Sequence, residues 1–317
     1  MAKNQVLVDV VMAAYNGAGF LDEQIQSVLN QSCRDFRLIV RDDGSTDGTR
    51  ALLESHAARY RDIIGLVDDD GRHQGSCGSF ARLIETARAD YVMPCDQDDV
   101  WLPEKIAMTL AHMKRLEEAY GHDCPILVHT DLAVADAALR PISSSFWAYE
   151  GLDPLHGGRL HRLLLQNVVT GCTLMANRAL IEKAMPIPPE AMMHDWWLGL
   201  VAAALGKIDY LPQATMHYRQ HGTNRVGAHE LDTRYAIRRG LAFRRAGGLA
   251  DQLHDTQRQA QVFLERFGPQ LREEQRSAVC AYATLGQSGF LRRRATLIRY
   301  GFYKHGWLRN LGLFAAI

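Results

Sequence analysis

The sequence predicts an α/β protein: a mainly parallel sheet with helices on both faces, continued by a helical C-terminal extension. Three observations carry this. A strand, turn and helix pattern occurs three times within the first 95 residues, and repeated units of that kind cross over right-handed into a parallel sheet covered by helices. Two acidic clusters, Asp42-Asp43 and Asp96–Asp99, follow apolar strands. Such folds bind ligands at that sheet edge, so the clusters should face one cleft. From about Asp232 the pattern is helical throughout, which divides the chain softly into residues 1–230 and 231–317.

Val6-Leu7-Val8-Asp9-Val10-Val11-Met12 is a short, β-branched run, as expected of a strand buried on both faces. Tyr15-Asn16-Gly17-Ala18-Gly19 breaks it, and Leu21, Ile25, Val28 and Leu29 then share one helical face. Leu38-Ile39-Val40 is the second strand. Asp42-Asp43-Gly44-Ser45-Thr46-Asp47 closes it, with Thr46 or Asp47 capping a helix that carries Leu52, Leu53 and Ala57. Residues 63–67 read as strand, 79–87 as helix and 91–93 as strand. Pro103-Glu104-Lys105 opens a helix through Ile106, Leu110 and Met113. Residues 126–128 and 171–175 are further strands, and a helix over 178–184 is ended by Pro186, Pro188 and Pro189.

At 317 residues, 47% hydrophobic and 23% charged, the composition excludes disorder, collagen and a small disulfide scaffold. No apolar run approaches the ~18–20 residues of a membrane span, and Val6–Ala14 carries Asp9, unlike a signal-peptide core. The six cysteines (33, 77, 95, 124, 172 and 280) show neither a CxxC pair nor zinc spacing. They fit buried, reduced thiols in a cytoplasmic protein. The net charge of zero averages an acidic front and a basic tail. Residues 1–100 hold 17 acids against 10 bases, and after Glu274 there are seven Arg and Lys but no acid.

Cys95-Asp96-Gln97-Asp98-Asp99-Val100-Trp101 puts three carboxylates within four residues. Like charges this close raise one another's pKa. A hard divalent cation, Mg²⁺ or Mn²⁺, relieves the repulsion and keeps sites for substrate phosphates; the plain alternative is a solvated loop capping the next helix. Asp42-Asp43-Gly44-Ser45 alone is ordinary turn chemistry, but on the same sheet edge it could hold a base N–H or a ribose hydroxyl. In Met193-His194-Asp195-Trp196-Trp197 the tryptophans either fill the core or wall a sugar ring beside Asp195 and raise that carboxylate's pKa. Tyr218-Arg219-Gln220-His221-Gly222-Thr223-Asn224 gathers Arg, His and Asn in one loop.

In order and spacing, Ala13-Ala14-Tyr15-Asn16-Gly17, Asp42-Asp43-Gly44-Ser45-Thr46-Asp47 and Asp96-Gln97-Asp98-Asp99-Val100-Trp101-Leu102-Pro103 resemble family 2 glycosyltransferases. The likeness is specific over residues 5–110 and extends to about 228. There His194-Asp195-Trp196-Trp197 and the 218–224 loop, with the basic tail, are similar to rhamnosyltransferase-type members. The resemblance implies a Rossmann-like GT-A fold with a DxD-type metal motif. It also implies a metal-dependent hexosyltransferase that builds bacterial surface polysaccharide from dTDP-L-rhamnose; a UDP-sugar is the alternative donor. Ala13 and Tyr15 would then hold the nucleotide base, Tyr15 by stacking. Asp43 would contact the base N3–H with Asp42 behind it, and Asp96 would lie against the ribose. Asp98 would bind the metal, Asp195 would be the general base, and His221 would touch metal or diphosphate. Trp196, Trp197 and Arg219 are the candidate sugar contacts. Family members often carry Asn-x-Gly before the third helix and Asn on its first turn, where this chain has His73-Gln74-Gly75 and Ser79.

This chemistry needs a cation on the departing diphosphate and a carboxylate to take the acceptor hydroxyl's proton, a contribution of roughly 10²–10⁴-fold. One base and one metal give a single in-line displacement, which inverts the anomeric centre. Residues 289–317 interleave six Arg and Lys with aromatic and aliphatic side chains. That suits an interfacial helix on an anionic membrane, as a lipid-linked glycan acceptor would need, or a packed helix with a solvated basic face. The protein is then expected to be cytoplasmic, either free or peripheral on the inner face of the plasma membrane. Nucleic acid is not an expected partner, since no base-reading fold is present; homo-oligomerisation is left open. A haloacid-dehalogenase-like phosphatase would place its DxDx[TV] motif after the first strand and add a later metal loop, and a dinucleotide oxidoreductase would need GxGxxG. The non-enzyme alternative is a nucleotide-sugar-binding subunit, which would need no base at Asp195.

Overall fold

In a computed structural model, described over residues 6–69, 71–222 and 248–317, the first half alternates as expected. β1 (Val8–Ala14), α1 (Leu21–Leu29), β2 (Phe36–Asp42), α2 (Thr49–Arg59), β3 (Ile64–Leu66), α3 (Gly75–Thr86) and β4 (Tyr91–Asp96) follow in turn. β1 pairs in parallel with β2 and β4, and β2 with β3. The registers Ala14 to Asp42 and Ala13 to Asp96 align the carboxyl ends of β2 and β4 on either side of β1. The two acidic clusters therefore meet at one edge, each one strand spacing of ~4.8 Å from β1.

β1 is buried on both faces, with Val11 in one hydrophobic cluster and Val10 and Met12 in the other. Its Asp9 is wholly buried yet satisfied. It accepts from Arg37 Nε at 2.5 Å and from the Arg88 and Ala89 amides at 2.6 and 2.8 Å, as a buried charge requires.

The chain continues through β5 (Val100–Trp101), α4 (Lys105–Tyr120), β6 (Ile126–Asp136), β7 (Pro141–Ser143), α5 (Phe146–Glu150), α6 (Pro154–Gly157) and α7 (Leu160–Leu163). β8 (Leu174–Asn177), α8 (Arg178–Ala184), α9 (His194–Leu205) and β9 (Lys207–Gln220) follow. The strand order is β3-β2-β1-β4-β8-β6-β9-β5, with β7 on β6. The long pairings are parallel; β8 runs antiparallel to β4 and β6 over only a few residues. A 3₁₀ turn at Gly171–Thr173 occupies the start of the strand expected over 171–175. β9 is the element that matters for the site, because its pairing with β6 and β5 carries Arg219 and the following His221 back to the loop after β4.

Beyond residue 248 the chain is helical: α10 (Gly248–Phe267), α11 (Glu273–Ala283), α12 (Phe290–Tyr300) and α13 (Trp307–Ala316). The boundary expected near residue 230 lies outside the described residues. These helices share one hydrophobic cluster with the sheet, in which Phe263, Tyr282, Phe302 and Leu313 join Val11, Phe80 and Trp197. Among the described residues no helix is long and apolar enough to cross a membrane.

Candidate active site

The turn after β1 is tied to the loop after β4. Tyr15 N donates to Gln97 Oε1 at 2.8 Å, and Gln97 Nε2 donates back to Tyr15 O at 2.9 Å. Gly17 lies against that amide, where a Cβ would sit 2.2 Å from Gln97 Oε1, so a larger residue would push the Gln97 side chain away and break the tie. Ala13 is half-buried, opposite Asp96 in register. The Tyr15 ring is exposed and tilted on His73 with centroids 4.5 Å apart, which leaves a face open to stacking.

Asp42 closes its own turn, accepting from the Ser45 hydroxyl at 2.5 Å and the Ser45 amide at 3.3 Å. Asp43 is buried and fully engaged. Oδ1 accepts from Arg41 Nη1 and from the Gln74 amide at 2.8 Å; Oδ2 accepts from the Gly75 amide at 2.9 Å and lies 2.9 Å from His73 Nδ1. A carboxylate offers about four acceptor positions, and all are filled, so a base N–H reaches Asp43 only by displacing the exposed His73. Residues that depart from the family pattern thus serve the same corner: His73 on Asp43, and Ser79 Oγ accepting from Arg41 Nη1 at 2.8 Å. Arg41 escaped the sequence analysis. It is wholly buried and also bonds Asp69 Oδ2 at 2.7 Å and Arg72 O at 2.9 Å. Its signal was a charge inside the apolar run Leu38-Ile39-Val40-Arg41.

In the loop after β4, burial first and the neighbouring Asp98 second push the Asp96 carboxyl up to about 7. Asp99 is wholly buried, and burial and Asp98 hold its carboxyl well above the usual range. Its Oδ1 accepts from the Arg219 amide at 3.1 Å, while Oδ2 has no hydrogen-bond partner among the described residues. Beside it lies Lys105, wholly buried, with Nζ 3.1 Å from Thr215 Oγ1. Burial lowers that ammonium to about 8, against the opposing pull of Cys172, Cys95 and Asp99. A lysine in the first turn of α4 opposes the helix dipole, an oddity visible in the sequence that does not by itself say which group the lysine faces.

Asp98 Oδ2 lies 2.8 Å from His221 Nε2, and the His221 ring stacks on Phe20 with centroids 4.4 Å apart. The contact is a hydrogen bond here; a divalent cation, if bound, would be held by the same carboxylate oxygen and imidazole nitrogen. Asp96, Asp99 and Cys172 also bring ligand atoms within 4.8 Å of one another. Cys172, however, is a thiol whose pKa burial raises, and soft sulfur suits a hard cation poorly. Of the two expected ligands, Asp98 offers the hard oxygen that Mg²⁺ or Mn²⁺ prefers, with the His221 imidazole beside it.

Asp195 stands in the first turn of α9, buried, and accepts from the Trp196 amide at 2.7 Å, from the Gly171 amide and from the Asn167 side chain. Burial outweighs these donors and pushes its carboxyl up to about 7. Its charge in turn raises Asp96, so the two carboxylates lie close enough to interact. The adjacent His194 is buried on Phe80, and burial lowers its imidazole to about 3, which keeps it neutral.

Three expected sugar contacts lie elsewhere than anticipated. Trp197 is wholly buried between Phe263 and Phe267, with Nε1 donating to Ala184 O at 3.0 Å. Trp196 is also buried and donates to Leu163 O at 2.5 Å. The pair fills the core because α9 is packed between the sheet and α10, so it walls no sugar. Trp197→Ala is accordingly expected to cost about 3–5 kcal/mol of stability, measured by urea unfolding, with the donor KM unchanged while the protein is folded. Arg219 is buried behind the acidic loop. It donates from Nε to Asp98 O at 2.9 Å and from Nη1 to Ala137 O at 2.7 Å, and pairs with Glu23 Oε2 at 2.5 Å. It positions Asp98 rather than reaching a sugar. Thr223 and Asn224 lie outside the described residues. The larger cavity, about 680 Å³ among α10, α11 and α12, is remote from these carboxylates; the chemistry, not the volume, marks the site.

Comparison with known proteins agrees with this architecture. Residues 9–125 match Glycosyl transferase family 2. The chain is 27% identical over 234 residues to the dTDP-rhamnosyl transferase RfbG of Shigella flexneri, covering 68% of this chain and 74% of that protein. It is 29% identical over 225 residues to an uncharacterized glycosyltransferase of Nostoc sp., covering 68% and 66%. Among solved structures it resembles S. aureus TarS 1–349 in complex with UDP-GlcNAc (TM-score 0.55, 15% identity, 94% of this chain and 93% of that one). It also resembles the mannosyltransferase PcManGT from Pyrobaculum calidifontis in complex with GDP-Man and Mn²⁺ (TM-score 0.54, 17% identity, 99% and 85%). At those identities the likeness shows the fold.

Proposed function

We propose that the chain is a family 2 glycosyltransferase that moves L-rhamnose from dTDP-L-rhamnose to a hydroxyl of a growing bacterial surface glycan, with inversion; the family match over residues 9–125 and the Shigella flexneri relative support this. The observation that carries this is a buried carboxylate, Asp195, whose pKa burial raises to about 7 and whose charge raises Asp96, two residues before the Asp98 that lies 2.8 Å from His221. At pH 7 a base of that pKa is both substantially ionised and basic enough to take a hydroxyl proton. Tyr15 would stack on the base, Ala13 would border it, and Asp43 would receive the base N–H once His73 moves aside. Asp42 would hold the turn, and Asp96 would meet the ribose. Asp98 and His221 would hold Mg²⁺ or Mn²⁺, which supplies Lewis-acid stabilisation of the departing diphosphate when bound. The donor rests on the Shigella flexneri relative; a UDP-sugar is the alternative, favoured by the TarS likeness.

The acceptor is proposed to be lipid-linked, with the enzyme peripheral on the inner face of the plasma membrane. The basic tail packs through Leu297, Phe302 and Leu313, yet leaves Phe290, Leu291, Ile298, Trp307 and Leu311 exposed beside Arg292 and Arg299. Exposed aromatic and aliphatic groups among cations suit an anionic interface. Calorimetric titration with dTDP and UDP, each with and without Mn²⁺, tests the donor. Tight, Mn²⁺-dependent binding of dTDP is expected. Preference for UDP moves the donor to UDP-sugars, and binding of neither sinks the proposal.

A further inference from the structure

We infer that the cavity between residues 151–162 and the start of α13 is a subsite for a phosphoryl group carried by the acceptor. The word acceptor rests on the transferase function above; the anion chemistry of the cavity does not. Its volume is about 380 Å³, and Leu152, Asp153, His156, Arg162, Lys304 and His305 line it.

The lining is rich in donors without acceptors. Arg162 donates from Nη1 to Tyr303 O at 2.8 Å and has no carboxylate partner among the described residues, although a guanidinium carries five N–H donors. Among the described residues, Lys304 Nζ finds only the neutral Gln252 Oε1, at a long 3.4 Å. His305 is buried, and its Nδ1 accepts from the Asp153 amide at 3.1 Å. In the neutral ring the proton is therefore on Nε2, and that buried nitrogen has no partner. The single carboxylate of the lining, Asp153, is already committed. It caps the Leu155 and His156 amides at 3.0 and 3.3 Å and lies 2.6 Å from His156 Nδ1. Burial lowers Lys304 to about 8 and His305 to about 4, the direction expected where cations and an imidazole crowd a partly desolvated space. Two cations and one imidazole N–H converging on a half-buried space suit an oxyanion with several acceptor oxygens.

The cavity is mechanically tied to the proposed base. Gln166 Oε1 accepts from the His305 amide at 2.9 Å, and Gln166 N closes a helical turn on Arg162 O at 2.9 Å. The next residue, Asn167, donates to Asp195. One helical turn plus one residue separates the Arg162 and Asn167 Cα atoms by no more than about 10 Å. The same short stretch of chain therefore contributes Arg162 to the cavity and Asn167 to the environment of Asp195. The exposed Trp307, immediately after Gly306 at the cavity's rim, offers an apolar neighbour for a lipid portion.

The full chain is titrated with inorganic pyrophosphate in EDTA, which suppresses metal-assisted binding at Asp98. Binding is expected, and Arg162→Gln and Lys304→Gln are each expected to weaken it roughly tenfold or more. Both variants should bind dTDP with Mn²⁺ as the unaltered protein does, which verifies their folding. No pyrophosphate binding, or binding that neither variant changes, overturns the subsite. Farnesyl diphosphate in detergent and phosphatidylglycerol vesicles separate the sources of the phosphate. Loss of affinity for farnesyl diphosphate in the variants supports the acceptor subsite; loss confined to the vesicles assigns the cavity to bilayer headgroups and overturns it. If dTDP fails to bind even the unaltered protein, the transferase function fails while the pyrophosphate result still decides the anion site.

Discussion

Asp195→Asn is expected to lower sugar transfer by about 10²–10⁴-fold while leaving dTDP affinity in the presence of Mn²⁺ unchanged. Asparagine keeps the shape and still presents an oxygen to the Trp196 and Gly171 amides, but cannot accept the hydroxyl proton. A nucleotide-sugar-binding subunit would be indifferent to the change, so retained activity would remove Asp195 from the mechanism. The pH profile provides the second check. The base works only when ionised, and burial pushes the carboxyl up to about 7, so transfer should rise with pH through about 7 and fall off below it. Stability carries the opposite sign. The folded carboxyl sits above its unfolded value, so its contribution is fully present below the unfolded pKa of 3.8 and declines as pH rises through about 7. Asp195→Asn should flatten that decline, measurable by denaturant unfolding at pH 5 and pH 8.

The other large effect is expected at Asp98. Asp98→Asn removes the carboxylate that lies 2.8 Å from His221 and should weaken Mn²⁺-dependent nucleotide binding. The loss should exceed the roughly 10–100-fold that removal of an outer-shell partner of a metal ligand costs. Calorimetric titration of dTDP at fixed Mn²⁺ reads this directly, and metal-free affinity serves as the baseline. Wild-type affinity with unchanged Mn²⁺ dependence would show that the cation sits elsewhere, with the Asp96, Asp99 and Cys172 group the next place to look. Arg219 enters this prediction as support, because its guanidinium holds Asp98 O and the neighbouring Asp99 accepts from its amide.

Much of the site was legible because its parts are local. A β-branched run followed by an acidic turn states its own structure, and β1, β2 and β4 with their trailing turns formed where the pattern placed them. Parallel order in the sheet then follows from right-handed crossovers, which is why Asp42-Asp43 and Asp96–Asp99 could be assigned to one edge before any coordinates. Arg41 and Lys105 were not legible, since a single charge in an apolar strand or a helix start says nothing about which carboxylate it will face.

What the sequence by itself determined was the succession of strands and helices through β4, the chemistry of the acidic turns and the basic character of the tail, because these depend on neighbours a few residues apart. Tertiary structure alone decided the rest. Arg219 meets Glu23 across 196 positions, and Trp197 became core because α10 covers it. Asp43 is saturated because the start of α3 folds back onto it. In each case side-chain type gave the options, and only the long-range packing of already formed elements, with its burial and its filled acceptor positions, selected one.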